Sequence, residues 1–137
     1  ATKMAMKRLQ LAGTFLKQDL HTAFYEELHK ALLGFIADKL NMPVSELSRE
    51  RISESLAANN VDQSYVDRFV GLLDACEFAR YSPDAGHEAM AAHYDSAVDV
   101  ISSIDSNMKS RKANGSHAAL LLLMMHKFVQ RYILLNR

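Results

Sequence analysis

The groups able to carry chemistry in this chain are six histidines, one cysteine and sixteen carboxylates, and their spacing limits what they can do together. Glu26 and His29 stand three apart, the Glu-x-x-His spacing with which carboxylate-bridged di-metal bundles project two ligands from one helix face. Such a centre needs a second copy of the motif and two further glutamates on facing helices. No second Glu-x-x-His occurs, so a solvated helix face is expected. His87-Glu88 followed by His93 resembles a zinc-protease helix only superficially. That chemistry places its histidines four apart so that both rings leave the same face. A separation of six turns through about 600° and points the rings apart.

Cys76 is the only thiol, which excludes an intramolecular disulfide and fits a reducing compartment. A nucleophilic cysteine needs an adjacent base and partial exposure. Cys76 instead falls on an apolar stripe beside Asp74 and Glu77, whose charges would raise a thiol pKa, so core packing is expected. Gly13, Gly34, Gly71, Gly86 and Gly115 are isolated and form no phosphate-binding loop. No catalytic, cofactor-binding or metal-ligating residue is therefore expected, and the chain does not read as an enzyme.

The elements that would position these residues are helical. Five glycines and two prolines in 137 residues, with abundant Leu, Ala, Met, Glu, Lys and Ser, favour helix over sheet. Apolar residues recur at helical spacing five times. Met6, Leu9, Ala12 and Leu16 form the first stripe, ending near Gln18-Asp19. Phe24, Leu28, Leu32, Phe35, Ile36 and Leu40 form a longer one that stops at Asn41, with Pro43 beyond. A short segment carries Leu47, Ile52 and Leu56, with Ser48 as its N-cap, and ends at Asn59-Asn60. A fourth helix opens at Asp62 and turns Tyr65, Phe69, Leu72, Leu73, Cys76 and Ala79 inward. Ser82-Pro83-Asp84 breaks it and launches the fifth, whose apolar face is Met90, Tyr94, Ala97, Val98, Ile101 and Ile104. Gly34 and Gly71 lie inside helical patterns, where close helix–helix approach would explain them. The expected fold is all-α: a compact antiparallel bundle of about five helices plus a C-terminal helical appendage.

The net charge of zero conceals a division. Residues 1–105 hold all sixteen acids and ten of the Lys/Arg, a net charge of −6. Residues 106–137 hold the other six bases (Lys109, Arg111, Lys112, Lys127, Arg131 and Arg137) and no acid, a net charge of +6. Residues 1–105 are accordingly read as a helical domain and residues 106–137 as a basic, apolar tail, with Asn114-Gly115 as a turn signal. An acidic body repels phosphate, which argues against nucleic acid as a partner. The apolar run 118–125 is eight residues long and is followed by His126, Lys127, Gln130 and Arg131. A membrane span needs about twenty residues, so none is expected. Lys127 and Arg131 flanking Phe128, Tyr132 and Leu135 leave a membrane-surface role for the tail open. The chain starts with Ala1 and has no secretory signal, which suggests a piece of a longer or processed protein.

The most distinctive stretch is 61–83. Its helix ends on Cys76-Glu77-Phe78-Ala79-Arg80-Tyr81 before Ser82-Pro83. Arg80 can reach Glu77 and, across the turn, Glu88, while the aromatic rings of Phe78 and Tyr81 stand where the helix stops. Phe78, Arg80 and Tyr81 are the candidate partner-binding residues, although a helix–helix corner would use the same side chains.

Three blocks, 24–32 (FYEELHKAL), 38–48 (DKLNMPVSELS) and 72–83 (LLDACEFARYSP), resemble in order and spacing the cytoplasmic C-terminal region of BatD-type oxygen-tolerance (aerotolerance) proteins. The resemblance covers roughly residues 3–105. It implies a helical domain that follows a signal peptide, a periplasmic β-sandwich region and one transmembrane helix absent from this chain. Lys3, Lys7 and Arg8 would suit the cytoplasmic side of such a helix. The resemblance further implies company: von Willebrand A-domain proteins and a MoxR-type AAA+ ATPase encoded in the same operon. No catalytic residue or cofactor is attributed to this region of the family, and its members usually stop soon after the helix ending near Asp105, so residues 107–137 have no counterpart.

The expected function is a non-catalytic protein-interaction module acting in a stress-tolerance complex on the cytoplasmic face of the bacterial inner membrane. A free-standing tetratricopeptide-like adaptor is the alternative. It would require a 34-residue internal repeat, and none is visible.

Overall fold

A computed structural model describes the backbone of residues 2–81 and 86–135, and the side chains of residues 3–81, 86–109 and 124–135. The described chain is all-helical: α1 (Thr2–Lys17), α2 (His21–Leu40), a 3-10 turn (Val44–Glu46), α3 (Arg49–Ala58), α4 (Gln63–Phe78) and α5 (His87–Leu135). The boundaries follow local chemistry. Asp19, Asn41 and Asn60 each take a positive φ after a helix. That conformation lets Asn41 close α2, its N–H reaching the carbonyls of Ala37 and Asp38. Ser48 caps α3 by accepting the Arg51 N–H at 3.1 Å. Asp62 caps α4 by accepting the Ser64 N–H at 2.9 Å. These backbone and hydroxyl hydrogen bonds of Ser64 lower the carboxyl pKa of Asp62. The Ser82-Pro83-Asp84 break lies outside the described residues, and α5 is described from His87.

α2 is the axis of the bundle, in contact with α1, α3, α4 and α5. It buries Phe24, Tyr25, Leu28, Ala31, Leu32, Phe35 and Ile36. Leu9 and Ala12 of α1, Ile52 and Leu56 of α3, Phe69, Leu73 and Cys76 of α4, and Met90, Ala97 and Ile101 of α5 pack into the same core. Contact between α1 and α5 closes the bundle, whereas stacked hairpins would keep first and last helices apart. Arg8 ties α1 to α2 by donating from Nη1 to the Lys30 carbonyl at 3.1 Å. Asn107 of α5 accepts the Asp62 N–H through Oδ1 at 3.2 Å, holding the start of α4 against α5.

Two expectations need correction. Asn114-Gly115 makes no turn: the backbone stays helical from His87 to Leu135, so the C-terminal helix is the continuation of α5. One glycine costs a helix about 1 kcal/mol, and the surrounding Lys, Arg, Ala and Leu residues are strong helix formers that outweigh it. Among the described side chains, Met108, close to the composition change, is the last packed against the core. Gly71 also does not serve close approach. A Cβ there would meet nothing within 4 Å, whereas one on Gly34 would lie 2.9 Å from Arg8 Nη1 and one on Gly13 3.1 Å from the Tyr94 hydroxyl.

Gly71→Ala should therefore stabilise the protein, by up to about 1 kcal/mol, whereas Phe69→Ala, two residues away and fully buried, should destabilise it by about 3–5 kcal/mol. Urea unfolding of both variants checks the pair.

Candidate interaction surface

α4 presents two opposite faces where it ends. Cys76 is buried on the inner one, and burial, with Glu77 beside it, pushes its thiol up to about 12 against the lowering effect of Arg80. At neutral pH Cys76 is a protonated, sequestered thiol. On the outer face Phe78 is 68 % and Tyr81 86 % exposed. A helix terminus displays both rings to water at once, a larger apolar area than an isolated surface residue needs.

The ground beside these rings is charged and ordered. Arg49, at the start of α3, reaches across to α4 with Nε 2.6 Å from Asp74 Oδ1 and with Nη2 on Glu77 Oε2. One guanidinium thus holds two carboxylates one helical turn apart, a use of its planar fork that an ammonium cannot match. Arg49, Gly71, Asp74, Ala75, Glu77, Phe78 and Tyr81 line a shallow, open depression of about 590 Å³. Its form suits contact with a protein surface. A small-molecule site would enclose its ligand more fully. Arg80 does not pair with Glu77 as its position three residues on suggested, because Arg49 takes that carboxylate from another helix. It lies near enough to His29 and Cys76 to lower the pKa of both. Of the three candidates, Phe78 and Tyr81 share the depression. Arg80 is exposed and acts toward α2 and the core side. Sequence reasoning missed Arg49 and Asp74, whose roles arise only when α3 packs on α4.

The histidines divide among different partners. His93 Nδ1 is 2.7 Å from the Tyr25 hydroxyl. When the neutral ring carries its proton on Nε2, that hydroxyl donates to Nδ1. His21 packs edge-on to Tyr25 with ring centroids 4.9 Å apart. His87 lies 3.3 Å from Asp19 on the surface. Glu26 is exposed, as a solvated face requires, but His29 is half-buried against the end of α4. Among the described residues no group of three or more His, Cys, Asp or Glu side chains is arranged to hold a metal ion. At the far end of the bundle Asp105 is buried and ion-paired with Lys39 of α2 and, at 3.2 Å, with Lys109.

His29 and His93 both have pKa values lowered from 6.5, chiefly by burial, with Arg80 adding to the effect at His29 and Glu77 opposing it. The unfolded chain therefore takes up protons first as pH falls through about 6.5. Their contribution to stability is complete above that value and is lost below it, toward the lower folded values. Urea midpoints should fall between neutral pH and about pH 5, and the His29→Gln/His93→Gln variant should flatten that slope; an unchanged slope would assign it to other groups. Comparison of the chain with protein-family models, with curated proteins and with solved structures finds no match.

Proposed function

We propose that this chain is a non-catalytic protein-interaction module, the cytoplasmic domain of a membrane-anchored oxygen-tolerance protein of the BatD type, acting in a complex on the inner face of the bacterial membrane. The observation that carries the interaction reading is the pair Phe78 and Tyr81, exposed on a helix end beside the Arg49–Asp74–Glu77 ion cluster. Aromatic and arginine side chains dominate the energetics of protein interfaces when they become desolvated at the centre of a contact. Here both types stand together before a partner arrives, with the arginine already oriented. Support for the absence of catalysis is chemical. The single thiol is buried and protonated, and His93 is engaged by Tyr25.

The BatD-type assignment rests on the three sequence blocks. Of these, 24–32 lies in the central α2, and 72–81 carries the exposed aromatic corner. The partners this reading implies are a von Willebrand A-domain protein or the MoxR-type ATPase. Titration calorimetry of the purified chain against each should find binding to at least one. Phe78→Ala/Tyr81→Ala should weaken it roughly tenfold or more, a loss of about 1.4 kcal/mol, while leaving the unfolding transition in place. Absence of binding to either protein, or equal affinity of the variant, would refute the assignment.

A further inference from the structure

α5 outlasts the body it belongs to. Among the described side chains Met108 is the last packed against the core, and the helix backbone continues to Leu135, about 40 Å farther at 1.5 Å per residue. All twelve side chains of residues 124–135 are exposed, among them Met124, Phe128, Ile133 and Leu135 at 55–84 %. So many large apolar side chains are not left in water without a use.

Their arrangement is two-sided. At about 100° per residue, Met124, Phe128, Tyr132, Met125, Val129 and Ile133 follow one another around about half the circumference, with Leu135 falling inside that arc. His126, Gln130, Lys127 and Arg131 occupy the other half, where Leu134 is the exception. Arg131 borders one edge of the apolar arc and His126 the other. A two-stranded coiled coil, or a groove reading positions i, i+4 and i+7, buries a narrow stripe. Here the stripe would leave large apolar residues exposed on its flank. A planar apolar boundary accepts half a cylinder, with basic stems running up to the polar side.

Charge selects the kind of boundary. The sequence after Asp105 has six Lys/Arg and no acid, which attracts an anionic surface and makes two such segments repel each other. The body's charge of −6 would oppose approach to the same surface if it were near. The segment 124–135 begins about 24 Å of helix beyond Met108, several times the screening length of about 8 Å at physiological salt. We infer that the helical arm at residues 124–135 binds the surface of an anionic lipid bilayer, lying in its interface with the arc of Met125, Phe128 and Ile133 embedded and Lys127 and Arg131 among the headgroups. This inference stands on the arm's own side chains and is independent of the proposed partner surface on α4.

The test is flotation of the full chain with vesicles of phosphatidylcholine alone and of phosphatidylcholine containing about one-third phosphatidylglycerol. Binding should be roughly tenfold or more stronger to the anionic vesicles and should weaken as salt is raised. Lys127→Glu/Arg131→Glu should abolish the preference for anionic lipid, and Phe128→Ala/Ile133→Ala should weaken binding to both vesicles. These side chains are exposed, and circular dichroism should show both variants folded. No binding to anionic vesicles, or equal binding to both kinds, overturns the proposal. So does a dimer in light scattering that Phe128→Ala/Ile133→Ala dissolves without vesicle binding, which makes a second copy the occupant.

Discussion

The interaction on which the structure depends is the burial of one broad face of α2 against all the other helices. Phe24, Leu28, Leu32, Phe35 and Ile36 lie on that face and are essentially inaccessible. Each fully buried side chain of this size contributes roughly 1.5–3 kcal/mol. Because α1, α3, α4 and α5 do not all touch one another but all touch α2, their mutual positions are set through it. The corner that carries Phe78 and Tyr81 is held in place this way, since α4 contacts α2 and sinks Phe69, Leu72, Leu73 and Cys76 into the common core.

Polar groups trim this apolar arrangement. Lys39 and Asp105 pair across α2 and α5 where both are largely removed from water, and Tyr25 meets His93 across the same two helices. Pairs of this kind add little net stability, because desolvation offsets most of the attraction. Losing one partner, however, strands the other, and that asymmetry disfavours any other register of α5 against α2. The Arg49 cluster does the same for α3 on α4 in a wetter setting, where its energetic contribution is modest and its effect is to hold a guanidinium and two carboxylates beside the exposed rings.

Much of this was legible in the amino-acid order because it depends on neighbours in sequence. Ser48 and Asp62 announce helix starts, Asn41 with Pro43 announces a stop, and the stripe Phe24–Leu28–Leu32–Phe35–Ile36 reads as a buried face. Val66 and Val100 are equally buried but lie at the edges of their stripes, where only the packing partner decides. Arg49 with Glu77, and Tyr25 with His93, join positions 28 and 68 residues apart, which no local pattern encodes. Asn114-Gly115 misled in the other direction. A turn pair reverses a chain when packing rewards the reversal, and here the backbone runs on as helix through both residues. The composition change at Asp105 does not mark a break in the helix.

On the proposed reading, the molecule works through the exposed aromatic corner of α4. A photo-reactive phenylalanine analogue at position 81 in the full chain, activated in living cells, tests this directly, with the same analogue at exposed Gln10 on α1 as the control. Position 81 should give a discrete protein adduct that position 10 does not form. No adduct at position 81, or the same adducts from both positions, would contradict it.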